Sequence, residues 1–120
     1  MAREPKFDET YKAMGDISVI VAQVPKEERF LATQLGRELE FMSMTLDDLK
    51  SHIREHGAVE LFENGKQVMW RESPALKSYN MTVRRFADIT RQLLALVPIR
   101  TKAVDDAAEG IREFCSRGMG

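Results

Sequence analysis

Residues 59–70 read Val-Glu-Leu-Phe-Glu-Asn-Gly-Lys-Gln-Val-Met-Trp and set how the rest of the chain is arranged. Asn64-Gly65 between two strand-like runs is the strongest short hairpin signal, because both residues tolerate positive φ. Pairing outward from that turn sets Leu61 opposite Val68, Val59 opposite Trp70 and Glu63 opposite Lys66. We therefore predict a β-ribbon over residues 58–70, with Trp70 and Leu61 on one face and Phe62 and Gln67 on the other. Since a lone hairpin is marginal in water, we expect the face with Trp70 and Leu61 to be buried.

A long helical pattern lies on each side of the ribbon. The one before it begins near Pro25 and ends at Gly57, and its apolar residues are spaced 4-3-4-3-4, which indicates a heptad seam: Leu35, Leu39, Met42, Leu46, Leu49 and Ile53. We favour one continuous helix there, although Thr45 to Asp48 resembles a capping box that would break it. The one after it opens with Ser73-Pro74, an N-cap followed by proline. Its apolar rows are Leu76, Val83, Thr90 and Val97, and Tyr79, Phe86 and Leu93.

These patterns predict a mainly α fold: an antiparallel hairpin of long helices over residues 26–97 with a small two-stranded ribbon at its tip. Helices at about Asp8–Gln23 and Lys102–Ser116 flank it, and residues 1–120 form a single helical domain. Apolar residues off the seam exceed what two flanking helices can cover: Phe30, Phe41, Met44, Met81, Ile89, Leu94 and Leu96. We therefore expect a homo-oligomer.

The charge is unevenly distributed, although the 120 residues carry a net charge of only −1. Residues 26–63 hold five positive and nine negative side chains, whereas residues 66–102 hold eight positive and two negative ones. The longest apolar run is five residues, and a membrane helix needs about 20, so we expect no membrane partner. Residues 1–6 lack the apolar core of a signal peptide, and the single cysteine, Cys115, suits a reducing compartment. Both features favour the cytoplasm.

No residue pattern argues for catalysis. His52-Ile53-Arg54-Glu55-His56 matches the H-x-x-E-H pattern of some zinc proteases, but it lies in the last turn of a helix, where histidine is favoured by the helix dipole. We predict no metal, no cofactor and no catalytic residue. Cys115 is interpreted as a buried structural thiol. The pairs Asp47-Asp48 and Asp105-Asp106 are interpreted as solvated helix starts.

The basic third quarter contains the candidate binding residues. Lys77, Arg84 and Arg91 recur every seven residues as one stripe beside the seam, with Arg85 adjacent. Two interpretations stay open: the stripe contacts a polyanion, or it forms ion pairs with the acidic preceding helix.

A helix-turn-helix is a further alternative. Leu31-Ala32, Leu35-Gly36 and Leu39 have its spacing, with Gly36 as the turn residue and the ribbon as a wing. The carboxylates of Glu38 and Glu40 oppose this winged-helix interpretation, because they would repel phosphates.

From about Lys26 to Arg100 the sequence resembles the small subunit of phage terminases. Three segments carry the resemblance: Glu63-Asn64-Gly65 at the family's turn between two long helices, Glu72-Ser73-Pro74-Ala75-Leu76 at its polar-Pro-Ala helix opening, and 94–100, Leu-Ala-Leu-Val-Pro-Ile-Arg, at its Leu-Gly-Leu-Thr-Pro close. Ala95 and Val97 depart from that last pattern.

The resemblance implies a non-catalytic DNA-packaging adaptor that assembles as a homo-oligomeric ring. It implies double-stranded DNA and the large terminase subunit as partners, with the host cytoplasm as the location. On this interpretation Lys77, Arg84, Arg85 and Arg91 contact DNA. A helical homo-oligomeric protein–protein interaction module with no nucleic-acid role is the alternative from another class.

Overall fold

A computed structural model describes residues 7–116 of the protein, with side chains described from residue 9 onward. The element order is a π-helical turn (Phe7–Tyr11), α1 (Lys12–Ala22), a 3-10 turn (Lys26–Glu28), α2 (Arg29–His56), β1 (Val59–Asn64), β2 (Gln67–Glu72), α3 (Pro74–Leu94) and α4 (Lys102–Ser116). The fold is mainly helical with one two-stranded antiparallel ribbon, as the sequence predicted. Residues 1–6 and 117–120 of the predicted domain lie outside the described residues.

The two longest helices, α2 and α3, pack on each other more extensively than any other pair of helices. The seam residues Leu39, Leu46 and Ile53 of α2 are buried, as are Phe86 and Leu93 of α3. The α2 helix runs without a break through residues 45–48, so the prediction of one continuous helix is confirmed. Buried heptad rows on facing helices therefore hold the hairpin together.

The junction between the ribbon and α3 is fixed by hydrogen bonds from both sides. The Ser73 hydroxyl accepts a hydrogen bond from the Ala75 backbone N–H at 3.1 Å, and Pro74 occupies the first helical position. The Ser73 backbone N–H donates to the Ala58 carbonyl at 2.9 Å, which closes the base of the ribbon. The predicted N-cap is thus confirmed, and it ties the helix start to the ribbon.

The flanking helices α1 and α4 pack chiefly on each other, and α1 also packs on α2. A Cβ atom added at Gly36 would lie 2.9 Å from Cγ2 of Val21, so the absence of a side chain lets α1 approach α2 closely. Gly36 lies inside α2, where the chain stays helical on both sides. The turn that the helix-turn-helix interpretation placed at Gly36 is therefore wrong.

The ribbon forms where it was predicted, but with a different register. The partners are Leu61 and Trp70, Glu63 and Val68, and Asn64 and Gln67, so the predicted pairings are wrong by two residues. Gly65 has φ +62°, and no described residue other than glycine has positive φ. The turn therefore places Gly65 and Lys66 at its centre, as in a type II′ turn, rather than Asn64 and Gly65.

The predicted burial of the ribbon is also wrong. Because the side-chain period of a strand is two, a shift of two residues still leaves Leu61 and Trp70 on one face and Phe62 on the other. However, Leu61 is 46% exposed and Trp70 is 70% exposed. The ribbon makes no extensive contact with any helix, so no element of the described chain covers this face.

Candidate functional site

The basic side chains of α3 lie on its solvent side. Lys77, Arg84 and Arg91 are all exposed, and each lies two residues before one of the buried residues Tyr79, Phe86 and Leu93. Two residues correspond to about 200° of rotation around a helix, so the row points away from the buried row Tyr79, Phe86 and Leu93. Each member also directly follows a residue of the other seam row, Leu76, Val83 or Thr90, about 100° away. The row therefore flanks the seam row Leu76, Val83 and Thr90, and Arg91 lines a groove between α3 and α4 with Thr90 and Ala108. The row spans 14 residues, or about 21 Å along the helix axis.

Ion pairing leaves most of this row free. Within residues 9–116, the side chains of Lys77, Arg84 and Arg85 have no carboxylate within the 4.0 Å limit of a salt bridge. Arg91 pairs with Asp88, three residues away on the same helix, and both side chains are well exposed. Salt bridges from this row to the acidic α2 are thus absent from the described residues, which contradicts the ion-pair interpretation.

Arg85 points in a different direction from Lys77, Arg84 and Arg91. It follows Arg84 directly and so lies about 100° further around the helix. Its side chain lines a groove of about 390 Å³ between α2 and α3, together with Glu38, Phe41 and Met81. The structure therefore brings Lys77, Arg84 and Arg91 into one row and places Arg85 beside an apolar groove.

This row of cations can contact phosphate groups without disturbing the core. The α3 helix carries four positive side chains and one negative one. Successive members of the row lie about 10.5 Å apart along the axis. Exposed Lys and Arg side chains at such spacing bind phosphates and sugars of nucleic acid, contacts that position a protein without reading sequence.

A buried polar cluster was missed by sequence reasoning. Lys50 is buried on α2, and its Nζ lies 3.6 Å from the Glu9 carboxylate and 5.7 Å from the centre of the Phe114 ring. Asp47, predicted to be solvated, is only 4% exposed, so that prediction is wrong. The signal was available, because Lys50 lies four residues after Leu46 and three before Ile53, on the buried side of the helix.

The other aspartates behave as solvated side chains. Asp48, Asp105 and Asp106 are exposed, as predicted. Asp105 lies in the first turn of α4 and accepts hydrogen bonds from Arg100, and Asp106 pairs with Lys102 at 3.7 Å.

The two histidines lie in contact on the last turns of α2. Their rings are stacked with centroids 4.2 Å apart, and Nδ1 of His56 lies 3.0 Å from the carbonyl oxygen of His52. Among the described residues, no three metal-binding side chains lie close enough together to hold an ion. His52 and His56 thus lie in the last turns of α2, where the sequence placed them.

The thiol of Cys115 is held in its protonated form. Cys115 is half-buried, not fully buried as predicted, and burial raises its pKa, an effect that the nearby Lys50 charge partly offsets. Burial also raises the pKa of Tyr79, with a smaller contribution from Cys115. Since the thiolate is the nucleophilic form of cysteine, these surroundings oppose reactivity.

Comparison with protein-family models, curated proteins and solved structures finds no match to this chain. None of the helices within residues 7–116 is long and apolar enough to cross a membrane. The assignment of a function therefore depends on the residues and surfaces described above.

Proposed function

We propose that the protein is a DNA-packaging adaptor of the phage terminase small-subunit type. It has no catalytic activity of its own, assembles as a homo-oligomer in the host cytoplasm, binds double-stranded DNA and regulates a large terminase subunit. The proposal is supported by the resemblance over residues 26–100 and by one structural observation, the exposed row of Lys77, Arg84 and Arg91. Two members of that row have no acidic partner in the described chain.

The geometry favours weak, sequence-tolerant contacts that gain strength by repetition. Three cations on one helix face neutralise only a few phosphates, so one subunit binds DNA weakly and with strong salt dependence. A homo-oligomer repeats the row once per subunit and converts weak contacts into stable binding through multivalency.

The test is fluorescence anisotropy with a labelled duplex over a salt series, using wild type and the double variant Arg84→Glu/Arg91→Glu. The matched control is Arg37→Glu/Lys102→Glu, which makes the same change in net charge at exposed cations of α2 and α4. We expect the slope of log K against log salt to fall by about 0.9 for each phosphate that the variant no longer neutralises, and the control to keep its slope.

Two results would contradict the proposal. One is a control that loses as much affinity as the row variant, because net charge rather than position would then govern binding. The other is a wild-type protein without DNA affinity at low salt. Gel filtration with light scattering shows whether each variant retains its oligomeric mass, so that a failure to assemble is not mistaken for weaker DNA binding.

A second candidate function is favoured by the uncovered apolar face of the ribbon. This candidate is a homo-oligomeric protein–protein interaction module without a nucleic-acid role. Exposed apolar surface of this kind marks interaction sites in many proteins. A wild-type protein that assembles but does not bind duplex DNA in the salt series would favour this candidate over the adaptor.

A further inference from the structure

The ribbon presents an apolar surface that the described chain does not cover. We call it the ribbon face and define it by Val59, Leu61, Val68 and Trp70, which share one side of the ribbon and are all exposed. On the opposite side, the Arg71 guanidinium lies 4.2 Å from the centre of the Phe62 ring and pairs with Glu60 at 2.7 Å. The ribbon face therefore combines four exposed apolar side chains with the acidic Glu63 and Glu72, which share its side of the ribbon and flank it at either end.

A second apolar surface lies on the helical hairpin. The groove between α2 and α3 contains Phe41, which is 67% exposed, and Met81, which is 62% exposed. Aromatic and methionine side chains are frequent at protein interfaces, since a flexible thioether adapts to an aromatic ring. The ribbon face offers such a ring in Trp70.

Charges at the two surfaces complement each other. Glu63 lies on the same side of the ribbon as Leu61, and Lys66 lies in the turn at the ribbon tip. Arg85 lines the α3 wall of the groove and Glu38 lines the α2 wall. Within residues 9–116 none of these four side chains has a salt-bridge partner. The groove thus carries one acidic and one basic group without a salt-bridge partner, whereas the ribbon carries two acidic groups on this side, Glu63 and Glu72, and the basic Lys66 in its turn.

The sizes of the two surfaces also agree. From Gln67 to Trp70 the strand β2 rises by about 10 Å. From Glu38 to Thr45 the α2 wall of the groove rises by about 10.5 Å. The ribbon and the groove of one chain do not meet, because the ribbon makes no extensive contact with any helix.

We infer that the ribbon face of one subunit docks in the α2–α3 groove of a second copy of this chain. Trp70 packs against Phe41 and Met81, with Glu63 toward Arg85. Lys66 then faces Glu38. This inference rests on the homo-oligomer of the proposed function and identifies its contact surface. Because ribbon and groove are different patches, each subunit uses both, one toward each neighbour, and the contact area per subunit is doubled.

In this arrangement the basic residues of α3 have two different roles. Arg85 belongs to the contact between subunits, whereas Lys77, Arg84 and Arg91 stay on the outer side of α3 and remain accessible to DNA. Arg84 and Arg85 are adjacent, exposed and equal in charge, so they form a matched pair of sites for a test.

The experiment measures oligomeric mass by sedimentation velocity over a concentration series. We expect Arg85→Glu and Glu63→Arg each to raise the dissociation constant about tenfold or more, because each places like charges together at a subunit contact. The combination Glu63→Arg/Arg85→Glu restores opposite charges and recovers most of the affinity. Arg84→Glu is the control and retains the wild-type mass. All three residues are exposed, and circular dichroism checks that the variants keep their helix content.

Trp70 gives an independent readout, because it is the only tryptophan in the chain. In the assembled protein we expect its fluorescence to be shielded from acrylamide, and dissociation by dilution or by Arg85→Glu to restore quenching. A Trp70 that stays fully quenchable in the oligomer would overturn the inference, as would Arg85→Glu with an unchanged mass. A monomeric wild type at micromolar concentration would overturn it too.

The outcomes separate this inference from the proposed function. If the oligomer binds DNA and Arg85→Glu leaves its mass unchanged, the docking contact is rejected and the adaptor proposal is retained. An oligomer that Arg85→Glu dissociates but that does not bind DNA at low salt supports the docking contact and rejects the adaptor.

Discussion

Phe86 is the residue whose truncation should destabilise the hairpin most clearly. Its side chain is 0% exposed at the centre of the α2–α3 seam, and its ring centroid lies 5.8 Å from that of Phe114 at an interplanar angle of 44°. Phe86→Ala removes a fully buried aromatic ring and leaves a cavity, which lowers the free energy of unfolding by about 3–5 kcal/mol. Since single domains are stable by about 5–15 kcal/mol, this is a large fraction of the total.

Part of that destabilisation comes from the contact between the two rings. Tilted aromatic pairs at this separation contribute about 0.5–1.5 kcal/mol beyond the burial of their area. A double-mutant cycle with Phe86→Leu and Phe114→Leu should therefore give a coupling energy in that range. Such a coupling energy would also show that this pair of rings stabilises the packing of α4 on the hairpin.

The assay is urea unfolding followed by far-ultraviolet circular dichroism, at one fixed protein concentration because assembly contributes to stability. We expect the midpoint to fall with an unchanged slope. Ile99→Ala is the control, because Ile99 is 71% exposed and is not among the apolar residues assigned to the oligomer, and it should change the free energy of unfolding by no more than about 0.5 kcal/mol. A decrease of less than about 1 kcal/mol in Phe86→Ala, against about 3–5 expected for a buried ring, would refute this account of the core.

Three further predictions concern the ribbon turn, the ionisable groups of Cys115 and Tyr79, and the two histidines. Gly65→Ala forces a side chain into φ +62° and should destabilise the turn by about 1–2 kcal/mol. Amide hydrogen exchange should therefore become faster across residues 59–72. Unchanged protection of the ribbon amides would contradict the turn geometry. Because burial raises the pKa of Cys115 and of Tyr79, the folded protein keeps these protons at alkaline pH after the unfolded chain has released them. Stability should therefore fall as pH rises above the ordinary cysteine pKa, and Cys115→Ala should reduce the fall in melting temperature; an identical pH profile in the variant would count against it. A chelator should leave the melting temperature unchanged, whereas a large drop would show that His52 and His56 hold a structural metal.

The sequence by itself determined the helices, their buried faces and the place of the ribbon. Heptad spacing predicted the seam through Leu39 and Leu46, and Ser73-Pro74 predicted where α3 begins. These features depend on local geometry: a helix repeats every 3.6 residues, and an N-cap or a glycine turn needs only its immediate neighbours. Local rules of this kind can be read from a sequence without knowledge of the partner surfaces.

Only the tertiary structure decided which surfaces are covered and where the charges point. Sequence periodicity separates the two sides of the ribbon, but whether Trp70 is buried depends on whether another element reaches it, and none of the described elements does. The partners of the buried Lys50, namely the Glu9 carboxylate and the Phe114 ring, come from elements far from it in the chain. Adjacent residues point about 100° apart on a helix, but which of Arg84 and Arg85 lines the groove depends on which face of α3 packs on α2. Such outcomes are set by contacts between residues far apart in the chain, which no local pattern encodes.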